Sequence, residues 1–279
     1  MSSVELAGLY AVIPPGRSKD SDMADYVLLA GVRTWYEEHG DGDPLVLLHP
    51  GGAGVDARAF GPNLGPLAAQ FRVYTPERRA HGHTPDVAGP ITFDAMAQDT
   101  IAFLETVVGR RAHVLGCSDG AIVGLLVALR RPDLIDRLVL VAGVFQFNGW
   151  LPQVIDPNNE PPEFLARLYA EVSPDGADHY QVVVDKLARM HLDEPTLEAD
   201  DLREVRGRTL VMVGDDDEVR LEHALAMYRG IPDAELMVVP GTSHGLLVEK
   251  PDLCNKVILE FLTEDPVPTM APIRRRGSS

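Results

Sequence analysis

The feature that most constrains the fold of this chain is the segment 116–120, which reads Gly-Cys-Ser-Asp-Gly and has the pattern G-x-S-x-G. An apolar run at 113–115 precedes it and is typical of a strand, and residues 121–129 follow with the apolar composition of a helix. Pro132 marks the end of that helix. A serine on so sharp a turn between a strand and a helix is exposed above the edge of a sheet in a strained conformation. This pattern predicts Ser118 as a nucleophile.

The glycines around this serine have a steric role. Side chains at Gly116 and Gly120 would clash across the tight turn. We expect Gly124, one helical turn further on, to let the helix pack close to its neighbours. The amino end of the helix brings free N–H groups and the positive end of a dipole, which suit a developing negative charge.

Strands and helices alternate through most of the chain. The apolar runs that predict strands are 26–29, 32–36, 45–48, 71–74, 113–115, 137–142, 209–213 and 235–239. The segments with helical spacing are 93–108, 121–129, 221–229 and 246–262. Strands this apolar are typically buried on both faces, as in parallel sheets. The alternation therefore predicts an α/β fold with a mostly parallel, doubly wound sheet.

One segment interrupts the alternation. We divide the chain into a core formed by residues 25–143 and 206–263 and an insertion at 144–205, where no core strand is evident. Apolar residues at helical spacing in the insertion predict a helical lid. The remaining parts are an N-terminal arm, 1–24, and a flexible tail, 264–279, which is rich in proline and arginine.

Two polar loops follow predicted strands late in the chain. Residues 215–217 are three consecutive aspartates after one strand, and His244 lies in the loop after the next. The carboxyl ends of parallel strands share one edge of a sheet, and Ser118 is expected at that same edge. A histidine can take the serine proton, and a carboxylate can orient the histidine. The residues alone leave open which aspartate does so.

An oxyanion hole needs two backbone N–H donors that point to one place. The amide of Asp119, directly after the serine, is the first candidate. The second is expected in the glycine-rich loop 49–54, after the strand at 45–48. Pro50 has no N–H, so we select Gly51, with Gly52 as the alternative.

The composition limits the classes of partner that this chain is expected to bind. The chain has 25 Lys and Arg against 42 Asp and Glu, a net charge of −17, which disfavours nucleic acid and anionic membranes. No run approaches the length of a membrane span.

Cys117 and Cys254 are expected to be free thiols, which with the lack of a signal sequence favours a cytoplasmic location. His81 and His83 lack the further ligands of a metal site, and no cofactor motif is present.

Together these motifs resemble the α/β-hydrolase superfamily. Besides the serine turn and loop 49–54, segment 77–84 is similar to the superfamily pattern D-x-R-G-x-G-x-S. The resemblance implies an α/β-hydrolase fold with an inserted helical lid. It also implies a triad of Ser118, His244 and Asp217, with Asp216 as the next choice for the acid. Pro50 and two residues of segment 77–84 depart from the superfamily pattern.

The serine turn is similar to that of biphenyl-hydrolase-like proteins and valacyclovirase. This resemblance implies that the Asp119 side chain holds a substrate amino group, although a carboxylate there also suits a helix start.

The expected function is hydrolysis of a carboxylic ester of a small molecule through an acyl-enzyme on Ser118. The alternatives are cleavage of a carbon–carbon bond or a lactone, or perhydrolysis, by the same triad, and a non-catalytic ligand receptor. We expect an apolar substrate pocket formed by Phe145, Phe147, Trp150 and Phe164. The oligomeric state is not predicted.

Overall fold

The computed structural model describes residues 23–156, 159–266 and 268–271. The predicted arm 1–24 therefore lies outside the described residues except for its last two positions, which begin a strand. Of the predicted tail 264–279, residues 267 and 272–279 lie outside them.

Eight strands form one sheet in the order β1-β2-β4-β3-β5-β6-β7-β8. They are β1 (Met23–Leu29), β2 (Val32–His39), β3 (Asp43–Leu48), β4 (Phe71–Pro76), β5 (Ala112–Cys117), β6 (Ile135–Val141), β7 (Arg208–Gly214) and β8 (Ala234–Val239). β2 pairs antiparallel with both β1 and β4, and every other pairing is parallel. The predicted mostly parallel sheet is confirmed.

Eight α-helices accompany the strands in the described part of the chain. They are α1 (Gly61–Ala68), α2 (Phe93–Phe103), α3 (Asp119–Arg130), α4 (Glu163–Val172), α5 (Tyr180–Asp193), α6 (Leu221–Gly230), α7 (Leu246–Glu249) and α8 (Pro251–Thr263). Buried side chains of α2, α3 and α6 belong to one apolar cluster, and those of α1, α7 and α8 belong to another. The sheet lies between the two clusters, which is the doubly wound arrangement.

Strand β3 shows why its sequence is continuously apolar. Successive side chains of a strand point to opposite faces of the sheet. Val46 and Leu48 join one cluster, whereas Leu45 and Leu47 join the other, and all four are at most 1% exposed. Helices on both faces leave no polar side for the strand.

The parallel register brings the carboxyl ends of the central strands to one edge. Cys117 at the end of β5 pairs with Val141, and Val141 pairs with Met212 of β7. Gly214 then pairs with Val239, the last residue of β8. The loops after β5, β7 and β8 therefore leave the sheet side by side, at the edge where ligands bind in α/β folds.

Three helical expectations change. The helix predicted at 246–262 is two helices, because Pro251 has no N–H to continue the first and begins the second. Helix α1 was not predicted, since its sequence contains two glycines and two prolines. A Cβ atom on Gly124 would meet side-chain atoms at 3.5 Å, an ordinary contact, so this glycine is not needed for close packing.

Between β6 and β7 the chain forms helices α4 and α5 and no sheet strand among the residues that the structure describes. Gly54, in the loop after β3, approaches α4 so closely that a Cβ atom there would be 2.1 Å from the Leu165 carbonyl oxygen. Arg58 joins the same helix through Glu171, with a 3.0 Å ion pair. The helical insertion is thus present, while the limits 144–205 remain a prediction. None of the described helices is both long and apolar enough to cross a membrane.

Candidate active site

Ser118 lies on a strained turn between β5 and α3. Its φ is 54° and its ψ is −120°, in the half of conformational space that non-glycine residues rarely occupy. The Ser118 amide donates a 2.8 Å hydrogen bond to the carbonyl oxygen of Val141, which ties the turn to the neighbouring strand. Such strain persists only where surrounding contacts hold it, and it is characteristic of functional sites.

The two glycines beside the serine are sterically required. A Cβ atom on Gly116 would be 2.1 Å from the Gly120 carbonyl oxygen, and one on Gly120 would be 1.9 Å from that of Leu48. These obstacles are backbone atoms, which cannot rotate away. The close approach of α3 to both β5 and β3 therefore depends on the absence of side chains at these positions.

Three side chains from the loops after β5, β7 and β8 form a hydrogen-bonded chain. His244 Nδ1 is 2.7 Å from Asp217 Oδ1, and His244 Nε2 is 2.9 Å from Ser118 Oγ. Because a carboxylate only accepts hydrogen bonds, Nδ1 carries the proton and Nε2 is free to accept from the serine hydroxyl. This arrangement prepares the serine to lose its proton to the histidine.

The amides of Gly214 and Val219 hold the carboxylate of Asp217 by donating to its two oxygens, at 2.9 and 3.1 Å. Burial opposes ionisation of Asp217, but the hydrogen bond from His244 and these amides keep its pKa below the ordinary value. Asp216 forms no corresponding contact: its amide donates to the Thr242 carbonyl oxygen. The structure therefore brings Asp217, and not Asp216, to the histidine.

His244 carries a raised pKa. Burial by itself would lower it, but the hydrogen bond to Asp217 and the negative charge of Glu218 outweigh burial. The Glu218 carboxylate lies 3.9 Å from His244 Nε2 and is half exposed. The imidazolium form is therefore stabilised where a proton would arrive during catalysis.

Two backbone amides beside the serine have no hydrogen-bond acceptor among the described residues. Asp119 is the first residue of α3, so its N–H has no acceptor within the helix. The Gly51 N–H makes no hydrogen bond to any of the described residues. Gly51, Ser118 and Asp119 all line one cavity, which is the arrangement that the predicted oxyanion hole needs.

This cavity has a volume of about 770 Å³ and lies between the sheet edge and the insertion. Pockets of this size hold small organic ligands. Its apolar wall comes mainly from the insertion, through the side chains of Trp150, Leu151, Val154, Ile155, Leu165, Val184, Leu187 and Ala188.

Of the four aromatic residues expected in the pocket, only Trp150 lines it. Phe145, Phe147 and Phe164 are not part of the cavity wall. Phe145 instead stacks on the His223 ring at 4.0 Å, and its amide donates to His223 Nε2. This pairing turns the phenyl ring into the core, and Phe164 is also buried outside the cavity.

The Asp119 side chain already has a partner in the insertion. Its Oδ1 is 2.8 Å from Nε2 of His191 on α5, and its Oδ2 has no hydrogen-bond partner among the described atoms. Burial would lower the pKa of His191, but the charge of Asp119 raises it above the ordinary value. His191 also lines the cavity. It thus connects the residue after Ser118 directly to the helical insertion.

Sequence reasoning missed His191, although a signal for it existed. Val184, Leu187 and His191 are three and four residues apart, so they share one face of α5. His191 is a polar residue on an otherwise apolar helix face, and this pattern could have indicated that the face lines a cavity.

Among the residues described, no group of three or more His, Cys, Asp or Glu side chains is placed as a metal site would require. His83 instead hydrogen-bonds through Nδ1 to Glu77, at 3.0 Å, and stacks on Trp35. Cys117 and Cys254 are both buried free thiols, as predicted.

Comparison with known proteins identifies the fold family. The family model described as "Alpha/beta hydrolase family" matches residues 45–257. The chain is 29% identical over 259 residues to a putative carbamate hydrolase, RutD, of Agrobacterium fabrum strain C58, with 81% of this chain and 97% of the relative covered. It is 26% identical over 260 residues to the human serine hydrolase BPHL, with 85% of each covered. The second relative confirms the resemblance drawn from the serine turn.

Solved structures show the same architecture. The meta-cleavage product hydrolase CumD of Pseudomonas fluorescens IP01 superposes with a TM-score of 0.74 at 23% sequence identity. The match covers 85% of this chain and 97% of that one.

Proposed function

This chain belongs to the alpha/beta hydrolase family, and from that premise we propose that it is a serine hydrolase that cleaves a carboxylic ester of a small molecule through an acyl-enzyme on Ser118. The observation that carries the proposal is the continuous hydrogen-bonded chain from Asp217 through His244 to Ser118, at 2.7 and 2.9 Å. The apolar cavity of about 770 Å³ beside the serine supports a small organic substrate.

The first half of the proposed reaction forms the acyl-enzyme. Ser118 Oγ attacks the carbonyl carbon as its proton passes to His244 Nε2, and the carbonyl oxygen becomes an oxyanion. The amides of Gly51 and Asp119 donate to that oxyanion. His244 then gives the proton to the departing alcohol oxygen, the ester bond breaks, and the acyl group remains on Ser118.

The second half releases the acid. A water molecule attacks the acyl carbon while His244 takes one of its protons, and the same two amides stabilise the second oxyanion. When this intermediate collapses, the bond to Ser118 Oγ breaks and the proton returns to that oxygen. Asp217 stays ionised throughout and stabilises the imidazolium.

Labelling with a fluorophosphonate tests the proposal. The wild-type protein should gain the mass of one phosphonyl group, because such reagents react with an activated serine. Ser118→Ala should gain none, whereas Ser173→Ala, a serine outside the cavity, should label like the wild type. Labelling of Ser118→Ala at another residue, or no labelling of the wild type, would contradict the proposal.

The bond that is cleaved needs a separate experiment. The similarity to a putative carbamate hydrolase makes a carbamate the second candidate, since its carbonyl suits the same attack. A panel of small acyl esters, carbamates, lactones and vinylogous diketones, with hydrogen peroxide added in one arm, distinguishes hydrolysis of each bond from perhydrolysis. We expect the highest kcat/KM for the acyl esters. A higher value for another class would reassign the substrate while leaving the triad in place.

The decrease of kcat/KM at low pH should reflect the protonation of His244. As a general base His244 must be neutral, so kcat/KM should fall as the pH drops through its raised pKa. Glu218→Gln removes a negative charge that stabilises the imidazolium, which lowers the pKa of His244. The acidic limb of Glu218→Gln should therefore shift to lower pH.

Steady-state kinetics across the acidic range check this shift. Glu222→Gln is the matched control, because Glu222 is exposed on α6 and lies outside the cavity wall. An unchanged limb in Glu218→Gln, or an equal shift in both variants, would show that the limb does not depend on this charge.

Asp119 lines the cavity beside Ser118, and its side chain is the candidate for holding a substrate amino group. A substrate amine would have to compete with His191 for the carboxylate. Because His191 already occupies this carboxylate, we expect Asp119→Asn to change kcat/KM for amino-acid esters and for simple acyl esters by similar factors. Kinetics on matched ester pairs measure this, with His191→Gln as the companion variant. A much greater loss for amino-acid esters would instead assign Asp119 to amine recognition.

A further inference from the structure

A buried arginine lies beneath the loop that follows β3. Arg78, two residues after β4, is 5% exposed, and its guanidinium contacts His49 and Pro50 and forms no ion pair with a carboxylate among the described residues. Burial without such a partner disfavours the charged form, which lowers the pKa of Arg78 to about 10. A guanidinium in this environment is costly, so its hydrogen-bond acceptors indicate what it contributes.

The acceptors are carbonyl oxygens of the loop itself. Arg78 Nη1 donates to the carbonyl oxygen of His49, and Nη2 donates to that of Pro50 at 2.9 Å. His49 Nε2 accepts the Arg78 backbone N–H at 3.1 Å, so the ring proton is on Nδ1. That Nδ1 donates to the same Pro50 oxygen at 2.7 Å. Two side chains therefore hold one carbonyl group.

The Pro50 carbonyl and the Gly51 N–H belong to one peptide unit. The peptide bond between them is trans, as are all those described except Glu194–Pro195. In a trans unit the N–H points opposite to the C=O. Donors that hold the Pro50 oxygen on the Arg78 side consequently turn the Gly51 N–H to the opposite side. Gly51 lines the cavity with Ser118, whereas Arg78 does not.

Arg78 also offsets a charge that opposes the reaction. The Asp119 carboxylate lies against Gly51, where a Cβ atom would be 1.8 Å from Oδ2. A negative charge so close would disfavour an oxyanion at the Gly51 amide. Burial raises the pKa of the Asp119 carboxyl, but the charge and hydrogen bond of His191, followed by the charge of Arg78, outweigh burial and lower it.

We propose that Arg78 is a positioning residue for the oxyanion hole: it fixes the plane of the Pro50–Gly51 peptide so that the Gly51 amide points at the reacting oxygen, and its charge strengthens that donor. This inference rests on the proposed function, because an oxyanion forms only if Ser118 attacks a carbonyl group. Arg78 should stabilise the transition state more than the bound substrate, since the oxyanion is absent from the ground state.

Arg78→Met tests the proposal with a side chain of similar length and no charge. We expect kcat to fall about 30- to 100-fold while KM changes less than about threefold, as for a displaced oxyanion donor. The affinity for a boronic acid, which forms a tetrahedral adduct with the serine, should fall by a similar factor. Arg78→Ala should regain part of its kcat when millimolar guanidinium is added.

Arg79→Met is the matched control. Arg79 is the next residue and forms a bidentate ion pair with Asp99 at 2.8 and 2.9 Å, outside the cavity wall. Its loss should reduce thermal stability but leave kcat and boronic acid affinity near the wild-type values. A merely structural role for Arg78 would give the two methionine variants the same kcat at equal folded fraction, and this result would overturn the proposal.

Arg78→Lys decides the question if the methionine and alanine variants do not fold. Lysine keeps the charge but cannot hold two carbonyl oxygens in the same fork, so an intermediate loss of kcat is expected. A wild-type kcat in Arg78→Lys would overturn the inference. If the wild-type protein itself neither labels at Ser118 nor turns over any substrate of the panel, the proposed function fails instead.

Discussion

Ser118→Ala and His244→Ala should each lower kcat for the best ester substrate by about 10⁴-fold or more, and the double variant should lose no more than either single one. The reason is the single hydrogen-bonded chain that contains both residues. Without the imidazole, the hydroxyl has no base to take its proton; without the hydroxyl, the imidazole has no nucleophile to activate. The remaining rate should come from the oxyanion hole and substrate binding alone.

This prediction is checked by measuring kcat of each purified variant and subtracting the rate of the uncatalysed reaction. All three variants should unfold at temperatures close to that of the wild type, because these side chains face the cavity and do not pack in the apolar clusters. Ser173→Ala should retain wild-type kcat. Multiplicative losses in the double variant would show that the two residues act independently, against the triad.

Gly120→Ala should prevent correct folding or destabilise the protein by about 4 kcal/mol or more, which places it among the most damaging single substitutions. The added Cβ would lie 1.9 Å from the Leu48 carbonyl oxygen and 2.7 Å from that of His49. Both obstacles are backbone atoms of β3 and its loop, so α3 would have to move away from the sheet. Such a movement would also displace the amide of Asp119.

Gly124→Ala is the matched control, four residues later in the same helix. Its Cβ would meet only side chains, those of Leu138 and Val114 at 3.5 Å and Leu48 at 3.8 Å. Removing a helical glycine without a clash should stabilise the protein by about 0.5–1 kcal/mol. Thermal and urea unfolding measure both effects. Equal stability of the two alanine variants would show that the close approach at Gly120 is not rigid.

Most of the fold could be predicted from local sequence patterns. The strand and helix periods, the turn at Ser118 and the acidic and histidine loops each occupy a short segment, and their order along the chain places them on one sheet edge. Helix α1 could not be predicted, because its glycines and prolines are poor helix formers. Contacts from distant residues hold it, such as those of Asn63 with Leu247 and Asn255.

The candidate site likewise contains residues that could be predicted from the sequence and residues that could not. The sequence alone indicated the serine, the histidine and the glycine-rich loop, since strained turns and loops after strands have local signatures. Only the tertiary structure decided that Phe145 packs on His223 while Val184 faces the cavity. An apolar side chain suits a core and a pocket wall equally well, and which one it joins depends on partners far away in the chain.

The same reason applies to Arg78 and His191. Each is an ordinary charged or polar residue in the sequence, and its contact with Pro50 or Asp119 spans 28 or 72 residues. The sequence by itself determined which kind of sheet forms and where its reactive turn lies, because short-range sterics and periodicity decide both. The tertiary structure decided which side chains surround that turn, because only the packed chain brings those distant partners together.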